Sequence, residues 1–318
     1  CFGRNDKKSP SDSSEGFLFF YFKILIFVKK KDMAIIPNNE QFIGLSASVD
    51  TTERRSALIN AQSQAYTMQD IIDTVPGGLG GTQYVFVMAN GTDVENAAEL
   101  QAAYTTAQTM SPSSSNRITV IAAPANYNFS SNFIMGAEYI NLVSLDGNRS
   151  IVFNGTATIQ ITANDVFVKG VDVLSKKFTI GDALSSLRVE NCKGGDNSFG
   201  GGVTASGTFT SCTGGLFSFG GGGTASGVFT NCTGDVYSFG AAGGTASGTF
   251  TNCKAFLYSF GSIASGTFTN CTGADGAFGS GGTASGTFTN CTGGGGSFGG
   301  SSGTASGVFT NCTGGQNS

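Results

Sequence analysis

The 318-residue sequence has no histidine, no tryptophan and only five prolines, and 12% of its residues are charged, about half the usual share of roughly 25%. The missing histidine excludes the Ser-His-Asp triad, the Cys-His pair and the common His-bearing zinc sites. Scarce proline, with 49 glycines that keep no strict three-residue period, excludes collagen. A net charge of −4 argues against a nucleic-acid-binding surface. What is present is a hydrophobic fraction of 39%, more than a disordered polyelectrolyte carries. The charges are unevenly placed: from Cys192 to Ser318 there are only Lys193, Asp196, Asp235, Lys254 and Asp275.

The chain begins with Cys1, and residues Phe17 to Val28 read FLFFYFKILIFV before a run of three lysines. That run is short for a membrane span, which needs about 20 apolar residues. Its basic residues follow the apolar stretch, the reverse of a signal peptide. Met33 is the expected natural start and residues 1–32 a non-native or disordered leader, the alternative being a short apolar anchor; no membrane partner is expected. At the other end CTGGQNS aligns with CKGGDNSFG at Cys192–Gly200. The array therefore stops where Phe-Gly would come next, and the expectation is a longer reading frame or an end covered by a partner.

The strongest signal is an internal repeat. TASGTFTSC at Thr204 recurs as TASGVFTNC at Thr224, TASGTFTNC at Thr245, IASGTFTNC at Ile263, TASGTFTNC at Thr283 and TASGVFTNC at Thr304. A worn copy, LSSLRVENC, begins at Leu184. The cysteines at 192, 212, 232, 253, 271, 291 and 312 are 20, 20, 21, 18, 20 and 21 residues apart. Leucine-rich repeats of this period need leucine at several fixed positions, and the array has only Leu216 and Leu257. Alternating β-branched and aromatic residues between glycine clusters read as strand and turn. The expected fold is all-β: a single-stranded right-handed parallel β-helix, a solenoid of about 20 residues per coil, with a short N-terminal helical segment and a capping helix.

Alternation sets the phase. Phe209, Phe229, Phe250, Phe268, Phe288 and Phe309 are expected to point inward, with the Ala and Gly of each ASG. The phenylalanines of SFG and AFG, at 199, 219, 239, 260, 278 and 298, form a second inward ladder. The asparagine of each NC sits at a corner, where left-handed geometry suits it and its amide can bond to its copies above and below. Upstream, residues 118–191 read as less regular coils. TDVENAAELQAAYTTAQTM reads as a helix capped by Thr92 or Asp93, burying Val94, Ala97, Leu100, Tyr104 and Ala107. Residues 53–75 read as another helix and PGGLGG at 76–81 as a linker. The organisation is thus a leader, 1–32; an attachment segment and Gly linker, 33–82; a first strand and capping helix, 83–117; irregular coils, 118–191; and the regular array, 192–318.

The order GTDVENAAELQAAYTTA, then ITVIAAPANYNF, then strand after strand resembles pectate-lyase-like parallel β-helix proteins over residues 83–318. The segment from MAIIPNNEQF to MQDIIDTV resembles the start of marine bacteriophage tail-fibre and virion structural proteins. The resemblance implies a right-handed solenoid, a virion or extracellular setting, and an N-terminal attachment of the fibre to the particle.

The cysteine line has one residue per coil and no CxxC pairs, so buried free thiols are expected, with no metal and no cofactor. The NCT sequons at Asn231, Asn270, Asn290 and Asn311 read as a corner ladder rather than glycan acceptors. Asp196, Asp235 and Asp275 lie 39 and 40 residues apart; stacked two coils apart they would be about 9.6 Å from one another, within the roughly 5–10 Å of glycosidase carboxylate pairs. No catalytic residue is assigned. The candidate binding surface is the outward face: Thr204, Ser206, Thr208 and Thr210; Thr224, Ser226 and Thr230; Thr245, Ser247, Thr249 and Thr251; Ser265, Thr267 and Thr269; Thr283, Ser285, Thr287 and Thr289; and Thr304, Ser306 and Thr310. Val228, Ile263 and Val308 interrupt it. The expected function is non-enzymatic: a structural or adhesive tail-fibre or virion appendage component. Its candidate partners are further copies in a trimer, other virion proteins or a cell-surface glycan, with no nucleic acid. An extracellular ice- or glycan-binding solenoid is the alternative, and a polysaccharide-degrading tailspike enzyme the third reading.

Overall fold

A computed structural model describes residues 41–42, 66–67, 83–241, 243–300 and 302–316. The expected leader 1–32 and linker 76–81 lie outside the described residues. So does most of the helix expected over 53–75, but Tyr66–Thr67 within it is a strand, paired antiparallel with Gln41–Phe42. From Gln83 onward the chain is a parallel β-solenoid of about 21 residues per turn.

The first strand, Gln83–Val87, leads into helix α1, Asp93–Thr109. Thr92 caps α1: its hydroxyl accepts from the N–H of Glu95, whose carboxylate accepts from the Thr92 N–H. Such a reciprocal pair satisfies two donors that the helix leaves open. Asn96, Ala97, Leu100, Ala103, Tyr104 and Ala107 are buried, so α1 closes the interior at this end. Val94, expected on that face, is 60% exposed; it lies in the first turn, before the helix reaches the coils.

One parallel sheet runs the length of the solenoid. Its eleven strands, in spatial order from the helix end, are Gln83–Val87, Ile118–Ala122, Ile140–Ser144, Phe167–Lys169, Arg188–Glu190, Thr208–Thr210, Val228–Thr230, Thr249–Thr251, Thr267–Thr269, Thr287–Thr289 and Val308–Thr310. The repeats pair in register: Phe209 opposite Phe229, then Phe250, Phe268, Phe288 and Phe309. A six-stranded sheet, from Thr204–Ala205 to Thr304–Ala305, stacks the Thr-Ala dipeptides.

TASGTFT is therefore two short strands separated at Ser-Gly, not one. The in–out alternation passes through the corner unchanged, so periodicity alone does not reveal it. At the corner both N–H groups turn onto one acceptor: Ser226 N and Gly227 N donate to Ala205 O at 3.1 and 3.0 Å. Glycine is required because the coils touch. A Cβ on Gly227 would sit 2.1 Å from Gly207 O, and one on Gly248 2.1 Å from Gly227 O.

The phenylalanine ladders form as expected. Phe209 through Phe309 stack ring on ring at 4.7–5.1 Å, within 5° of parallel. The second ladder, Phe199 through Phe298, stacks at 4.7–5.0 Å. The two ladders meet edge to face at 5.6–6.1 Å. That contact sets positive ring edges against negative faces, the arrangement the aromatic quadrupole favours. The second ladder differs from a strand in its backbone. Phe199, Phe219, Phe239, Phe260, Phe278 and Phe298 all have φ between 51° and 57°, costly for a bulky side chain. Burial of each ring, worth roughly 1.5–3 kcal/mol, offsets that cost.

The outward side of the first coils is unlike the array. Tyr84, Phe86, Ile121, Val143 and Phe167 are buried yet lie outside the interior cluster. The guanidinium of Arg188 sits 5.1 Å over the Phe167 ring. Among the described residues no helix is long and apolar enough to cross a membrane.

Candidate functional site: the outward columns and corners of the array

Each repeat contributes hydroxyls to three faces. Thr204, Thr224, Thr245, Thr283 and Thr304 line the six-stranded sheet. Two columns line the long sheet: Thr208, Thr249, Thr267 and Thr287, interrupted by Val228 and Val308; and the unbroken run Thr210, Thr230, Thr251, Thr269, Thr289 and Thr310. Ser226, Ser247, Ser265, Ser285 and Ser306 stand exposed at the corner between the sheets. The expected surface is thus folded over an edge, and its planar part is two threonine columns wide. Ser206 departs from it: its Oγ is buried without a hydrogen-bond partner, at the junction with the irregular coils.

A fourth threonine column escaped the sequence reading. Thr213, Thr233, Thr272, Thr292 and Thr313, with Lys193 and Lys254, bridge one another in parallel beyond the asparagine corner. Its signal was the T after each NC, which continues the alternation beyond the cysteine.

The asparagine corner separates these faces as expected. Asn231, Asn252, Asn270, Asn290 and Asn311 have φ of 52–55°. Each amide donates to the one before: Asn252 Nδ2 to Asn231 Oδ1, Asn270 to Asn252 and Asn290 to Asn270, all at 3.1 Å, and Asn311 to Asn290 at 3.3 Å. Asn252, Asn270 and Asn290 use both amide ends within this ladder, Asn231 its oxygen and Asn311 its nitrogen.

The array cysteines are free, and all but the half-buried Cys312 are buried. Each thiol faces carbonyls, as in Cys232 Sγ to Phe209 O at 3.4 Å and Cys271 Sγ to Phe250 O at 3.4 Å. Burial pushes the thiols of Cys192 and Cys232 well above the usual range. The neighbouring Cys253 thiol and burial push Cys271 up as well. Hydrogen bonds from Cys232 and Cys271 would pull Cys253 the other way. Its Sγ, however, lies 3.3 Å from Phe229 O and 3.5 Å from Thr251 O; both are acceptors, so it keeps its proton. Because the thiolate is the reactive form, a maleimide reagent should label Cys232 to Cys291 only after unfolding, and reductant should leave melting unchanged. Rapid labelling of the native chain would contradict this ladder.

The aspartates do not form the stack proposed for them. Asp196 and Asp275 share one turn position four coils apart, with Leu216, Val236 and Leu257 between them, as the backbone bonds Asn197 N–Leu216 O, Phe217 N–Val236 O, Tyr237 N–Leu257 O and Tyr258 N–Asp275 O show. Asp235 lies one residue earlier in its turn. Each uses Oδ1 on backbone: Asp196 accepts from Leu216 N at 2.9 Å, Asp235 from Val236 N at 2.8 Å and Asp275 from Gly295 N at 2.7 Å. Asp196 and Asp275, four coils apart, are about 19 Å from each other, beyond the span of a glycosidase pair. Asp235, two coils and one residue from each, is about 10 Å away, at the upper end of that span. Among the described residues no group of three or more His, Cys, Asp or Glu is placed to hold a metal.

No protein-family model matches the chain, and no curated protein or solved structure matches it.

Proposed function

We propose that this chain is a non-enzymatic structural or adhesive solenoid, a tail-fibre or virion appendage component that works by presenting a surface. The observation that carries this reading is the in-register hydroxyl run Thr210, Thr230, Thr251, Thr269, Thr289 and Thr310 beside a broken second column. A phenylalanine core holds that surface at a fixed pitch. Threonine hydroxyls without an activating base remain neutral donors and acceptors, suited to water, sugars or neighbouring chains. The array would project from a particle attached through residues 33–82.

Substituting Thr249, Thr267 and Thr287 with Lys, and then Thr251, Thr269 and Thr289, should weaken attachment to the natural surface stepwise while the melting temperature holds. If these changes did nothing, and one of Asp196→Asn, Asp235→Asn or Asp275→Asn abolished a hydrolase or lyase activity on polysaccharide, the tailspike-enzyme reading would replace this one. The two adjacent threonine columns on one sheet also favour a second reading, an extracellular solenoid that orders water on ice. Thermal hysteresis that the same lysine substitutions remove would select it.

A further inference from the structure

The variable turn of each repeat, between the cysteine and the second phenylalanine, is mostly glycine, asparagine and aspartate. Three successive coils break that rule: GGLFSFG at Gly214, GDVYSFG at Gly234 and KAFLYSFG at Lys254. At one left-handed position the column reads Asn197, Phe217, Tyr237, Tyr258, Gly276 and Gly296, all with φ between 51° and 67°. Asparagine and glycine suit that conformation and an aromatic residue does not. Phe217, Tyr237 and Tyr258 stack on one another at 5.0 and 5.6 Å. Unlike the core phenylalanines, they gain no full burial: Tyr258 is 47% exposed, and beside it Phe256 is 60% exposed. Backbone strain held where packing does not require it points to use of the surface.

We infer that this aromatic ledge is a binding site for a neutral oligosaccharide. The apolar C–H face of a sugar ring matches an aromatic side chain, and its hydroxyls need acceptors at the rim. The acceptors are present: Asp196 and Asp275 bound the ledge and Asp235 lies within it. The Oδ2 of each has no hydrogen bond among the described residues, while Oδ1 is held by backbone. The ledge by itself is the size of a small ligand and not of a protein interface. Three coils by three residue positions give roughly 14 Å by 10 Å, or about 140 Å², against the roughly 800 Å² each partner of a stable protein pair contributes. The three carboxylates disfavour an acidic sugar. This deepens the surface-presenting reading on which it rests, but places sugar contact at the turns and not on the threonine columns.

The full chain, titrated with neutral gluco-, manno- and galactohexaose and with hexagalacturonate by tyrosine fluorescence and saturation-transfer NMR, tests the site. At least one neutral hexaose should bind saturably at millimolar concentration or below, and hexagalacturonate more weakly. Phe217→Asn, Tyr237→Gly and Tyr258→Gly together copy the residues of neighbouring repeats, so the fold should hold or melt slightly higher. They should weaken binding at least tenfold. Gln101→Ala, on the exposed side of α1, should bind sugar as before; a failed titration sinks the ledge, while the threonine columns are tested separately by the attachment assay. No saturable binding of any neutral hexaose, binding unchanged in the triple variant, or tighter binding of the hexagalacturonate would each overturn the inference.

Discussion

Phe250→Ala should lower the unfolding free energy by about 3–5 kcal/mol. The ring is fully buried, stacked between Phe229 and Phe268 at 4.9 and 4.7 Å and met edge-on by Phe239 and Phe260. Truncation removes four ring contacts at once. Two neighbouring coils cannot close over the gap, because each is fixed to the next by its own backbone ladder. The neighbouring outward change Thr249→Ala should stay within about 0.5 kcal/mol. Urea unfolding of both variants measures the contrast; equal losses, or a larger loss at Thr249, would reverse the assigned phase.

Gly248→Val should be the second severe change. A Cβ there would lie 2.1 Å from Gly227 O, and that oxygen already accepts the Thr249 N–H at 2.9 Å. The clash is with backbone, so no rotamer relieves it, and coils must part where the Ser-Gly corners touch. The expected cost is the roughly 1–3 kcal/mol of an overpacked site, with about 1 kcal/mol more for the weakened ladder bond. Gly295→Val is the control, since its nearest contact would be at 3.6 Å; it should unfold within about 0.5 kcal/mol of the parent. A Gly248→Val chain that melts with the parent would mean the coils are not in contact there.

Much of this architecture could be read from the repeat itself. Identical residues at a fixed spacing must stack in a parallel solenoid, which placed the Phe209 and Phe199 ladders inward and the asparagines in a bonded corner. The features that escaped share one cause: alternation records whether a residue faces in or out, not which wall it belongs to. The bend at Ser206-Gly207 and its copies keeps the alternation while dividing the threonines between two sheets. The Thr213 column continues the same alternation around the next corner. Left-handed geometry at Phe199 and its copies was hidden for a different reason: aromatic residues rarely adopt it, and only the burial of each ring offsets its cost. Val94 was misplaced because helical spacing alone does not locate where α1 first meets the solenoid.

One coil per repeat with outward threonines in register fixes the geometry of the whole array. Spin labels on cysteines placed at Thr210 and, in separate chains, at Thr269, Thr289 and Thr310, with Cys1 and the half-buried Cys312 replaced by Ser, test it by pulsed dipolar spectroscopy. The buried array thiols should stay unlabelled. The backbone separations should rise by one coil pitch at each step, to about 14, 19 and 24 Å. Separations that do not increase in equal steps, or that place Thr310 no farther from Thr210 than Thr269 is, would contradict the stacked solenoid and the surface built on it.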